Sequence, residues 1–120
     1  YITPEVGLEP IEFNMKLAKT NAQHSSGLMF SPPLKKNTGM LFIFPTEEQR
    51  SFWMKNTPIR LDMLFFDAFG RLVNLIANAE PYSLTRRNSA APAKYVLEIG
   101  GGEAERLNLT AGARLHLPIN

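Results

Sequence analysis

Within Phe52–Asp62 the chain places its only tryptophan, Trp53, beside Lys55, Asn56 and Thr57. It then returns through Asp62, which is set among Leu61, Met63, Leu64, Phe65 and Phe66. A carboxylate in such apolar company must find hydrogen-bond donors or shift its pKa. With Glu98 these residues can form a polar pocket. Trp53 would offer a flat face for a sugar or aromatic ring, while amide and carboxylate groups fix its orientation. Asp62 and Glu98 can also be read as a carboxylate pair for acid–base work, of the kind glycosidases use. That reading requires two strands distant in sequence to bring the two groups within a few ångströms. The structural alternative is that Trp53 fills the core, Asn56 and Thr57 build a turn, and Asp62 and Glu98 accept bonds from backbone N–H groups, Lys55 or Arg60. Lys55 as an activated amine has no support, because nothing in the sequence shows it to be desolvated.

Other chemistries are poorly represented. There are no cysteines, which removes thiol nucleophiles, disulfides and Cys-based zinc sites. His24 and His116 lie far apart with no His-x-x-x-His or Glu-x-x-His companion, so no metal site is expected. Gly100-Gly101-Gly102 before a short helix invites a phosphate-cradle reading. Glu103 and Glu105 in the first turn would repel an anion, so a tight strand-to-helix turn is the better reading. No Gly-x-Ser-x-Gly elbow and no cofactor fingerprint occur. Asn108-Leu109-Thr110 fits a glycosylation acceptor, a triplet short enough to arise by chance.

The chain that must position these residues has 120 residues, 44% of them hydrophobic, which suits one domain with one core. Thirteen basic residues against eleven acidic ones give a net charge of only +2, and the bases are scattered. Phosphate-tracking surfaces need a denser basic stripe, so the pattern argues against nucleic acid binding. The longest apolar runs are too short to span a bilayer. A chain that begins at Tyr1 rather than Met fits a removed secretory signal and a trimmed boundary equally well.

Residues 1–10 read as an irregular lead-in. Ile11–Ala18 alternates apolar and polar residues, the signature of a half-buried strand. Thr20 can cap a helix over Asn21–Met29, stopped by Ser31-Pro32-Pro33. Met40–Phe44 reads as a strand buried on both faces, and Thr46-Glu47-Glu48 as a single helical turn. Leu61–Phe66 and Arg71–Ala77 are predicted strands joined by a tight turn at Asp67-Ala68-Phe69-Gly70. In the central segment an extended Phe52–Asn56 would put Trp53 and Lys55 on one face, with Met54 and Asn56 on the other. Asn56-Thr57-Pro58 then turns the chain. Pro81–Pro92 carries Arg86-Arg87 and no acid, and reads as a loop. Lys94–Ile99 is a predicted strand, Glu103–Leu107 a short helix, and Gly112–Pro118 a closing strand.

Several of these pieces, taken in order, resemble the domain-of-unknown-function family 192. They are Gly27-Leu28-Met29-Phe30, Gly39-Met40-Leu41-Phe42, the run FWMKNTPIRLD at 52–62, Leu64-Phe65-Phe66-Asp67 with Gly70, and Val96-Leu97-Glu98 with Gly101 or Gly102. The resemblance covers about residues 24–117. It implies a small, mainly β bacterial domain, often found behind a signal sequence and hence outside the cytoplasm, and it implies no established activity. The chain departs from the family where Ser26 and Ser31 stand in places that members often fill with arginine.

The expectation is therefore a single mainly β domain over residues 11–120. Its architecture is expected to be a β-sandwich or partly closed barrel of about six or seven strands with two or three short helices. Its expected function is non-catalytic binding of a small molecule or protein partner through Trp53–Asp62, without cofactor. The candidate contacts are Trp53, Lys55, Asn56, Thr57, Asp62 and Glu98. The alternative is a small hydrolase-like acid–base enzyme using Asp62 and Glu98, with Lys55 or Asn56 orienting the substrate.

Overall fold

In a computed structural model the described residues are 1–4 and 9–117. Their chain order is β1 (Ile2–Thr3), β2 (Asn14–Ala18), α1 (Asn21–Ser26), β3 (Thr38–Glu48), β4 (Ser51–Phe52), β5 (Leu61–Phe66), β6 (Leu72–Ala79), β7 (Arg87–Asn88), β8 (Ala93–Gly100), α2 (Glu103–Arg106) and β9 (Arg114–Leu115). The main sheet has five strands in the order β2-β3-β8-β5-β6, and two ribbons, β1-β9 and β4-β7, accompany it. β2 runs parallel to β3, while the other neighbours are antiparallel. The domain is thus mainly β as expected, but the sheet does not close into a barrel, and β2 and β6 are its two ends.

β5 lies between β8 and β6, and all six of its residues are buried. Because side chains alternate across a strand, β5 feeds two cores. Leu64 and Phe66 join Leu41, Leu97 and Ile99 on one face, together with Ala104 of α2 and the β1-β9 ribbon residues Ile2 and Leu115. Met63 and Phe65 join Phe42, Val96 and Met54 on the other, with Phe52 packed against them. Burying each such large side chain contributes about 1.5–3 kcal/mol, so this strand helps to stabilise both cores.

The predicted hairpin is present. Asp67 Oδ1 accepts from the Phe69 and Arg71 backbone N–H groups, both at 2.9 Å. Gly70 has φ +82, and a Cβ there would lie 2.3 Å from the Leu115 carbonyl oxygen, so only glycine fits. Several expected boundaries move. The helical turn at Thr46-Glu47-Glu48 is absent, because β3 resumes after a register shift to pair Glu48 with Ala93. The first helix ends at Ser26 rather than Met29, since Gly27 adopts φ +46 and breaks the ladder. The strand expected over Ile11–Ala18 begins at Asn14, and Ile11 makes a single bridge to Ile2. Ile2–Thr3, within the expected lead-in, pairs with Arg114–Leu115. The strand expected over Gly112–Pro118 is confined to Arg114–Leu115, and Pro118 lies outside the described residues.

Candidate functional site

The central segment folds as its residue types require. Phe52 ends β4, and its ring meets Phe42 edge-on at 5.0 Å and Phe65 at 5.9 Å. Met54 is fully buried. Asn56 takes the left-handed φ of 55 that asparagine tolerates better than most residues. The Thr57 N–H donates to the Met54 carbonyl, and its Oγ1 donates to the Lys55 carbonyl. This turn also organises its surroundings. Its Asn56 carbonyl accepts the Phe30 N–H at 2.7 Å, and its Thr57 carbonyl accepts the Tyr82 N–H at 3.0 Å. Phe30 and Tyr82 themselves have φ of 61 and 63, and both side chains are exposed. For aromatic residues that backbone costs energy, and the two hydrogen bonds to the turn help hold it.

A cleft of about 420 Å³ opens beside this turn. Residues 24–29, at the end of α1, line it together with Phe42 and Phe44 of β3 and the Gln49–Trp53 stretch. Lys55, Thr57, Arg86 and Glu98 complete the lining. α1 is held by a capping box in which Thr20 Oγ1 accepts the Gln23 N–H and the Gln23 side chain accepts the Thr20 N–H. His24 sits between the Ala18 and Ile43 carbonyl oxygens, 2.9 and 3.0 Å from Nε2. Two carbonyls can only accept, so Nε2 carries a proton and donates to both. The histidine ties α1 to β2 and β3.

The cations of the cleft fall into two kinds. The Arg50 guanidinium donates to the Ala93 and Thr46 carbonyls, lies 3.8 Å from the Phe44 ring centroid, and reaches Glu48 at 3.5 Å. Burial draws its pKa down from the ordinary value, and Glu48 opposes that shift. Lys55 and Arg86 make no ion pair among the described residues. They approach the Trp53 ring instead, at 5.2 and 4.2 Å from its centroid. The extended Phe52–Asn56 expected from sequence is not formed, because the strand ends at Phe52 and Asn56 turns the chain, yet Trp53 and Lys55 both line the cleft.

Glu98 supplies the floor. It lies on β8 in the middle of the sheet, 4% exposed, and its carboxylate makes no hydrogen bond or ion pair among the described residues. No fully buried side-chain oxygen among those residues lacks a partner, so the residual exposure of Glu98 belongs to its carboxylate and opens to the cleft. Gly27 stands over it, where a Cβ would lie 3.9 Å from Oε1 and 3.2 Å from Phe42 Cζ. With no donor to stabilise the ionised form, burial pushes the Glu98 carboxyl up to about 8. Burial thus favours the protonated carboxyl, which can donate a hydrogen bond.

Asp62 is elsewhere. Its register partner on β8 is Ile99, whereas that of Glu98 on β5 is Met63, so the two carboxylates point to opposite faces of the sheet. Asp62 is fully buried, and Oδ1 accepts the backbone N–H groups of Asn78 at 2.8 Å and Gly102 at 3.1 Å. Oδ2 accepts the Ala104 N–H at 2.8 Å. It caps α2 and fastens β6 to the Gly100–Gly102 turn. The pairing of Asp62 with Glu98 as an acid–base couple is not formed, and the periodicity of the strands is the reason. Of the other sequence candidates, Trp53, Lys55 and Thr57 line the cleft with Glu98, while Asn56 shapes the turn behind it. Sequence reasoning missed the walls from α1, the phenylalanines of β3 and Arg86. The family motifs at Gly27-Leu28-Met29 and Phe42 and the acid-free Arg86-Arg87 stretch were the signals that could have found them.

A family model for DUF192 (Uncharacterized ACR) matches residues 4–117, nearly the whole described chain. This chain belongs to DUF192. Its match reaches further toward the N-terminus than the motifs around Gly27, Trp53 and Glu98 alone. Among solved structures, this DUF192 chain is similar to a protein of unknown function from Novosphingobium aromaticivorans, with 40% identity and a TM-score of 0.85 over 88% of this chain and 75% of the other. It is also similar to a candidate transcription regulator from Sinorhizobium meliloti, with 34% identity and a TM-score of 0.90 over 93% of this chain and 87% of the other. No curated protein matches the chain. No helix among the described residues is long and apolar enough to cross a membrane.

Proposed function

We propose that this protein is a small-ligand-binding domain whose site is the cleft between the end of α1, the aromatic face of β3 and the Trp53–Thr57 turn. The observation that carries this reading is Glu98. A buried carboxyl without a partner destabilises the fold, and an apolar residue of similar size would serve the core better. Its presence at the floor of an open cleft makes sense when something enters the cleft and bonds to it. Two cations without ionic partners among the described residues, Lys55 and Arg86, line the same space. The site is thus the upstream half of the segment first singled out, joined to Glu98, and Asp62 belongs to the scaffold.

Catalysis has less support. The described cleft offers one titratable acid and no nucleophile aligned with a base, which general acid–base or covalent chemistry would require. Direct reading of DNA, an extension of what the Sinorhizobium relative is held to do, would favour a helix able to enter the major groove. The longest helix among the described residues has six residues.

Thermal denaturation of Glu98→Met, combined with an NMR fragment screen, tests the reading. The variant should melt at a higher temperature than the parent. Fragments that bind the parent should shift the amides of Gly27, Trp53 and Thr57 together and lose that effect in the variant. A variant destabilised by more than about 1 kcal/mol, the worth of a lost hydrogen bond, would make Glu98 a structural residue and sink the proposal.

A further inference from the structure

Three groups in the cleft have unmet interactions, and together they describe a ligand. Lys55 and Arg86 are cations without ion pairs among the described residues, each set against the Trp53 ring. The Glu98 carboxyl is more than nine-tenths buried, has no partner among those residues, and opens to the same space. The rings of Phe42, Phe44 and Phe52 line the same cleft. The cations do not neutralise Glu98 by pairing with it, since neither lies within 4.0 Å of its oxygens.

We infer that the cleft binds a small organic carboxylate with an apolar body, its carboxylate group held by Lys55 and Arg86 and a second oxygen accepting a hydrogen bond from Glu98. This rests on the cleft being a ligand site at all. The chemistry follows from what each group lacks. Two unpaired cations beside an aromatic wall favour an anion, and Arg86 already stacked on Trp53 is pre-organised for it. A ligand ring can rest on the phenylalanine walls of the cleft. A protonated Glu98 adds a donor without adding a repelling charge. The ionisable and charged groups lining the cleft are His24, Arg50, Lys55, Arg86 and Glu98. His24 and Arg50 are engaged with backbone carbonyls, so ionisation of Glu98 is the change that a bound anion would sense most.

The test compares 4-hydroxyphenylacetate with its neutral amide, 4-hydroxyphenylacetamide, on the whole protein by isothermal titration and amide chemical shifts. The acid should bind saturably at pH 6.5 with shifts centred on Gly27, Trp53 and Thr57, at least tenfold more tightly than the amide. Arg86→Ala and Lys55→Ala should each weaken the acid several-fold and leave the amide unchanged. Affinity of the acid should fall as pH rises through about 8. Glu98→Gln, a neutral donor of the same shape, should retain binding and remove that fall. Equal binding of acid and amide at the cleft would overturn the carboxylate inference and leave the ligand site standing. Shifts from neither probe, or shifts elsewhere on the surface, would overturn both.

Discussion

Asp62 and Glu98 occupy adjacent central strands, both with buried side chains, and they have opposite fates. Asp62 points to the α2 face, where three backbone N–H groups converge on its two oxygens. Glu98 points to the α1 face, where no donor among the described residues meets it. The first carboxylate ties β6 and α2 to the sheet; the second is left open to a cleft. What separates the two carboxyls is therefore not burial, which both share, but whether the described residues complete the hydrogen bonds of the buried group.

The largest test of that contrast is at Asp62. Asp62→Ala would leave three backbone donors unpaired, each a loss of about 1–3 kcal/mol when buried, and urea denaturation should show a loss near the upper end for a single substitution. Asp62→Asn should be milder yet still costly, because its amide would turn a donor toward the Ala104 N–H. A near-neutral result in both variants would erase the distinction.

Glu98 should behave in the opposite sense, and pH exposes it. Its folded pKa is raised from 4.5 to about 8, so the native state keeps a proton that the unfolded chain releases. Stability is thus fully present below about 4.5 and falls as pH rises toward 8, after which this contribution is flat. Its size is on the order of a few kcal/mol at most. Denaturation midpoints across pH 4 to 9 should show this decline in the parent and a shallower one in Glu98→Gln. An identical slope in both would remove Glu98 from the account.

Gly27 sharpens the contrast from the other side of the cleft. It has φ +46, and a methyl group added there would meet Phe42 Cζ at 3.2 Å. Gly27→Ala should therefore cost about 1–2 kcal/mol through backbone strain, read as a fall in melting temperature. The smallest effects are expected at Lys55→Ala and Arg86→Ala. Both are exposed and without ion pairs among the described residues, so each should change stability by less than about 0.5 kcal/mol. A large loss at either would mean that the pairing with Trp53 is structural.

Much of the scaffold was legible from residue types alone. The apolar run and turn chemistry of Leu61–Gly70 determine a hairpin, because Asp67 and Gly70 each meet a requirement of the turn that few residues can meet. The apolar runs at Met40–Phe44 and Leu61–Phe66 had to be central, and the triple glycine before Glu103 had to be a turn into a helix. The same chemistry made Asn56-Thr57 a turn and left Lys55 beside Trp53. Local sequence fell short at Thr46-Glu47-Glu48, where pairing with Ala93 overrode a helical preference.

Which carboxylate serves the fold and which serves the cleft could not be read in this way. Asp62 and Glu98 have similar chemistry and similar apolar neighbours in sequence. Their roles depend on the register between β5 and β8, which sends them to opposite faces, and on what packs over each face. α2 brings N–H groups to one, and α1 with Gly27 leaves a gap over the other. Register and layer packing join residues distant along the chain, so tertiary structure alone decided that the segment around Trp53 is completed by Glu98 and Arg86 rather than by Asp62.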